Sequence, residues 1–103
     1  MKVKNFYNKN QFIILGDKGE IEFQSYNSRV ARIDKSGTLE LSTRWDYSKT
    51  TLKHLYLFLK EYLYNLDSFI QDDIKKILLY SKNKKKDIQR LIDEERIFTS
   101  LRY

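Results

Sequence analysis

At about residue 45 the spacing of apolar residues changes from every second position to every third and fourth. No other feature of this 103-residue chain constrains its fold as much. Before the change, Glu20-Ile21-Glu22-Phe23-Gln24-Ser25-Tyr26 alternates and puts Ile21, Phe23 and Ser25 on one face. Such alternation marks a strand with one wet face. The run Gln11–Leu15 ends at the turn cluster Gly16-Asp17-Lys18-Gly19, Asn27-Ser28 leads into Arg29–Asp34, and Lys35-Ser36-Gly37 leads into Thr38–Ser42. Links this short join neighbouring antiparallel strands, so a four-stranded meander is expected.

After the change, Leu52, Leu55, Tyr56, Leu59 and Leu63 predict a helix over roughly 49–64, with Asp46 or Ser48 as its N-cap. Ser68 and Gln71 have capping-box spacing, and Phe69, Ile70, Ile74, Ile77 and Leu78 form the apolar face of a second helix. A third, over about 84–95, carries Ile88, Leu91 and Ile92 and is too short to be stable alone. Residues 97–103 read as a last strand or a docked tail. The expected class is α+β: a four-stranded antiparallel meander followed by about three helices packed on one face. One domain spans 1–103, mainly β over 1–44 and mainly α over 45–96.

Apolar residues make up 41% of the chain and aromatics 15%, enough apolar surface to offset the entropy of ordering and exclude a disordered chain. The lack of cysteine removes disulfides, thiolate catalysis and cysteine-based metal sites. No apolar run approaches the ~20 residues of a membrane span, and Met1-Lys2-Val3-Lys4-Asn5 is not followed by a signal-type apolar region. No membrane partner is expected. No glycine-rich phosphate loop is present and no cofactor or metal is expected. His54 has neither a second histidine nor a cysteine to form a common zinc site with, and reads as a hydrogen-bonded helix residue. Ser25, Ser28, Thr50 and Thr51 read as turn, cap and edge hydroxyls. A non-enzyme is expected; a Mg²⁺-dependent nuclease using Glu20, Glu22, Glu40 and Asp34 is the alternative with chemistry.

Charge says more, with a net +6 overall. Lys75, Lys76, Lys82, Lys84, Lys85, Lys86 and Arg90 face one acid, Asp87, in the same stretch. Cations at a helix N-terminus oppose its dipole by roughly 0.3–1 kcal/mol each, and a docked anion reverses the sign. Phosphate backbone is the abundant anion, and a solvated lysine loop is the alternative. Arg29, Arg32 and Arg44 form a second basic group. With Val30, Arg32 and Asp34 on one face, opposite Ala31 and Ile33, Arg32 stands on the exposed face near Tyr26 or Tyr47, where unpaired bases stack. The stretch Trp45-Asp46-Tyr47-Ser48-Lys49-Thr50-Thr51 is either a capped corner with Trp45 beneath the helix or a recognition patch of Trp45 and Tyr47.

The segments Phe23-Gln24-Ser25-Tyr26-Asn27-Ser28 and Trp45-Asp46-Tyr47-Ser48-Lys49-Thr50-Thr51-Leu52-Lys53-His54-Leu55-Tyr56-Leu57-Phe58-Leu59 resemble a group of small phage proteins of low-GC Gram-positive bacteria. Asn83–Ile92 is similar to their C-terminal stretch. The resemblance covers about residues 20–92, carries no catalytic residues, and implies a phage accessory protein in the cytoplasm of a bacterial host. By analogy of size and source, such proteins act by binding, as anti-CRISPR and host-takeover factors do. A basic inhibitor cannot imitate the charge of DNA, so it would contact guide RNA, target nucleic acid, an acidic protein surface or the seam between them. The expected partner is a host nucleoprotein, a CRISPR effector for example, or RNA or DNA. The alternative is a protein–protein adaptor or virion-associated factor.

Overall fold

Six strands make one sheet in the order β1-β2-β3-β4-β5-β6 in the computed structural model, which describes residues 1–101. They are β1 (Lys2–Phe6), β2 (Asn8–Leu15), β3 (Ile21–Ser25), β4 (Ser28–Ile33), β5 (Leu39–Ser42) and β6 (Phe98–Leu101). The first five form an antiparallel meander, as the short links require. Two strands exceed expectation. Strand β1 has only Phe6 buried, so its residues carry almost no core pattern. Strand β6 returns after the helices and pairs parallel to β5, which resolves the tail as a strand through Leu101; Arg102 and Tyr103 lie outside the described residues.

The helices are α1 (Lys49–Glu61), α2 (Ser68–Tyr80) and α3 (Lys84–Asp93), with a 3₁₀ turn at Leu63–Asn65. Ser48 caps α1 by accepting from the Thr51 backbone N–H. Asp67, not Ser68, caps α2, accepting from Phe69 and Ile70, while the Gln71 side chain donates to the Leu66 carbonyl. Ile70, Ile74 and Ile77 turn inward, and Phe69, about 100° around the axis from Ile70, is left 81% exposed.

The core lies between one sheet face and the helices. Ile13, Phe23, Ala31, Ile33, Leu39 and Leu41 point inward and meet Leu55, Phe58 and Leu59 of α1, with Phe23 and Phe58 stacked at 5.7 Å. Burying each such aliphatic or aromatic side chain contributes roughly 1.5–3 kcal/mol. The helical layer is tied to the sheet at Gly37, whose carbonyl accepts from Asp67 N at 3.1 Å. Gly37 has φ 91°, and a Cβ there would stand 2.5 Å from Asp67 N. The β3–β4 ladder contains a bulge: Phe23 opposes Ala31 and Gln24 opposes Arg29, leaving Val30 as the extra residue. The expected common face of Val30 and Arg32 is thereby corrected, since Val30 is buried and Arg32 is half-exposed on the outer face.

Candidate nucleic-acid interface

The lysine run does not form one site. Successive helical residues are about 100° apart around the axis, so neighbours in sequence point in different directions. Lys84 leans toward α1 and its ammonium donates to the Ser81 carbonyl at 3.5 Å. Lys85 pairs with Asp46 at 3.6 Å. Lys85, Lys86 and Arg90 border a shallow depression along α3 that also contains Asp87 and Asp93. Lys82 is exposed in the preceding bend. At the helix start, the Asn83 side chain accepts from Lys86 N, and Asp87 accepts from the Ser81 hydroxyl. At the start of α3 the chain supplies its own cap, and Lys85, Lys86 and Arg90 share their depression with Asp87 and Asp93, while Lys84 leans away.

A different group of residues converges. The two-residue turn between β3 and β4 and the corner between β5 and α1 enclose a cleft of about 310 Å³. Arg29 and Arg44 line it, as do Tyr26 and Tyr47, and so do the hydroxyl-bearing residues Ser25, Ser28, Ser42, Ser48 and Thr51. The Arg44 guanidinium lies 5.7 Å from the centre of the Tyr47 ring, a cation–π contact. Both tyrosines are well exposed, Tyr26 at 60% and Tyr47 at 74%. Tyr26 also holds φ 57°, a left-handed conformation that costs a non-glycine residue roughly 1–2 kcal/mol. Arg29 also borders the outer sheet face, where Glu22 holds its guanidinium through Nε at 2.9 Å and a terminal nitrogen at 2.7 Å, in the same depression as Arg32. No acid occupies the first turn of α1, which starts at the cleft.

Beneath the cleft are two buried polar side chains without partners among the described residues. Ser25 is 4% exposed and its Oγ makes no hydrogen bond. Gln11 opposes it across the β2–β3 ladder, is fully buried, and has neither amide atom bonded. A buried polar group left unmet costs about 1–3 kcal/mol. Ser25 is thus a buried floor residue and not the expected turn or edge hydroxyl, and Gln11 carries no motif that marks it in sequence. The available signal was positional: the inward face Ile21-Phe23-Ser25 ends in a hydroxyl, and the facing Gln11-Ile13-Leu15 begins with an amide.

The other expected residues lie elsewhere. Trp45 is only 3% exposed, packed into the core, which removes it from any recognition surface; Tyr47, two residues on, is the exposed member of that pair. Arg32 pairs with Glu40 at 3.5 Å on the outer sheet face, away from Tyr26 and Tyr47. His54 is buried: Nδ1 donates to the Thr50 carbonyl at 2.9 Å and Nε2 accepts from Asn8 Nδ2 at 3.3 Å. Of the four carboxylates of the nuclease alternative, three are engaged, Glu22 by Arg29, Glu40 by Arg32, and Asp34 by the Ser36 hydroxyl and the Thr38 N–H, and Glu20 stands with Glu22 on the outer sheet face. The Ser36 hydrogen bond is the main cause holding the Asp34 carboxyl below its usual range, against a smaller opposing effect of burial. Among the described residues no three His, Asp or Glu side chains group to hold a metal ion. No helix among them is long and apolar enough to cross a membrane.

A second concavity of about 470 Å³ runs along α1 and is mainly apolar, with Leu52, Tyr56, Leu57 and Leu78 as its floor. Lys49, Lys53, Lys60 and Lys84 surround it. Burial pushes the Tyr56 hydroxyl above its ordinary pKa, assisted by the charge of Asp46.

Residues 1–77 match a family of unknown function, DUF8033. The chain belongs to that family. The DUF8033 match takes in every residue of the Ser25–Tyr47 cleft, and the lysine run 82–86 lies beyond it. No curated protein and no solved structure matches this DUF8033 chain.

Proposed function

We propose that this chain is a non-enzymatic phage accessory protein that binds nucleic acid carried by a host nucleoprotein, with a CRISPR effector as one such complex, in the cytoplasm of the bacterial host. One observation supports the reading above the others. The two segments that carry the phage resemblance, residues 23–28 and 45–59, are far apart in sequence yet meet in the cleft bearing Arg29, Arg44, Tyr26 and Tyr47. Guanidinium groups meet phosphate and exposed rings meet unstacked bases, so this residue set suits a single strand better than a duplex. The net charge of +6 adds attraction that does not depend on sequence.

Affinity capture from an infected host tests this, with bound protein and nucleic acid identified together before and after nuclease treatment. RNA or DNA should co-purify, and raising the salt should release it. Capture of one host protein that survives both nuclease and salt would refute the reading. That outcome would favour a protein–protein adaptor, which the lysine-rimmed apolar groove along α1 supports.

A further inference from the structure

Resting on the nucleic-acid reading above, we propose that the cleft between the β3–β4 turn and the start of α1 is a pocket for one unstacked nucleotide. Arg44 meets the phosphate, the exposed rings of Tyr47 and Tyr26 flank the base, and the Ser25 hydroxyl at the floor bonds a polar atom of the ligand.

Ser25 distinguishes this cleft from a generic basic surface. Its Oγ is buried at the cleft floor with no partner among the described residues, and Gln11 behind it is equally unmet. Neither position needs a polar group for the sheet, because Ile21, Phe23 and Ile13 fill the same inward faces with hydrocarbon. A chain that keeps an alcohol and an amide where apolar residues would pack retains hydrogen-bonding capacity that a ligand can use. The cleft volume, about 310 Å³, suits a small ligand and not a folded segment. Arg44 puts positive charge at its rim and the floor is uncharged, the order in which a nucleotide presents phosphate and base. Ser48 and Thr51 bond each other and cap α1, so they shape the wall while Ser25 stays available.

The test titrates the full chain with each nucleoside monophosphate and with short fluorescein-labelled single strands of RNA and DNA, recording thermal unfolding in parallel. Ser25→Ala and Gln11→Met probe the floor, and Tyr47→Ala, at an exposed site whose loss leaves the core intact, probes the wall. Each of Ser25→Ala and Tyr47→Ala should weaken strand binding about tenfold. Ser25→Ala and Gln11→Met should leave the melting temperature unchanged or raise it, since an unmet polar group is removed. Strand binding equally tight in Ser25→Ala and Tyr47→Ala would overturn the pocket while leaving the basic-surface reading intact. Cleft-dependent binding of a mononucleotide without strand binding would keep the pocket and overturn the nucleic-acid reading. Failure of both ligands to bind the unaltered protein would overturn both. A lowered melting temperature with unchanged affinity in Ser25→Ala would show that the hydroxyl serves an internal water, and the pocket would fall.

Discussion

Glu22→Gln should weaken the fold and strengthen binding at once. Glu22 Oε1 accepts two bonds from Arg29, and its other oxygen accepts from Gln24 Nε2 at 2.8 Å. For charge centres about 4 Å apart, with an effective dielectric constant near 20, the unscreened attraction is about 4 kcal/mol. The Arg29 side chain is 38% exposed, so water screens most of that and about 1 kcal/mol remains. Glutamine retains the shape and an acceptor, and the expected loss is therefore about 1 kcal/mol, or a melting temperature lower by about 4–8 °C. Binding moves the other way, because Arg29, on the strand that borders the cleft, loses its internal counter-charge. Fluorescence anisotropy with a labelled single strand between about 50 and 200 mM salt should show tighter binding at low salt and a log–log slope steeper by about 0.7. A lower melting temperature with unchanged affinity and slope would show that Arg29 serves the sheet alone.

Gly37→Ala should destabilise the protein by about 2–4 kcal/mol, summing the left-handed conformation, the displaced Asp67 backbone and its strained hydrogen bond; chemical denaturation measures it. Asp34→Asn removes a carboxylate whose folded pKa is lowered, so the stability difference from the unaltered protein, about 1 kcal/mol, should be present above pH ~4 and vanish as pH falls through the folded value. A difference that stayed constant down to pH 2 would refute the role of the ionised form. Lys86→Glu places an acid in the first turn of α3 and should stabilise by about 0.3–1 kcal/mol, seen as a small rise in melting temperature. Neutralising Lys84, Lys85 and Lys86 together should flatten the salt slope by less than three phosphate contacts' worth, because Lys84 leans toward α1 and Lys85 already pairs with Asp46.

The elements that were legible in sequence are those whose pattern is local. Strands β2 to β5 alternate about short turns, and α1 and α3 show one apolar stripe each, so period alone locates them. Lys2-Val3-Lys4-Asn5 escapes because an edge strand gains its identity from the neighbour it pairs with, not from buried side chains of its own. Phe98–Leu101 escapes because its parallel partner lies across the whole helical half. Phe69 misleads because it stands about 100° around the axis from Ile70 and so off the Ile70-Ile74-Ile77 stripe. In the site, Arg29, Arg44 and Tyr47 are recognisable by residue type. Their assembly with Ser25 depends on two turns meeting in space, and Lys84-Lys85-Lys86 attract notice through adjacency, which a helix undoes.

The parallel junction of β5 with β6 has a consequence for how the molecule is made. During translation, residues 2–42 can zip up hairpin by hairpin as they emerge, yet β5 must wait with one edge bare until α1, α2 and α3 have passed the ribosome and residue 98 follows. Until then that nascent edge is the place where a chaperone, or a neighbouring copy, would find backbone to grip.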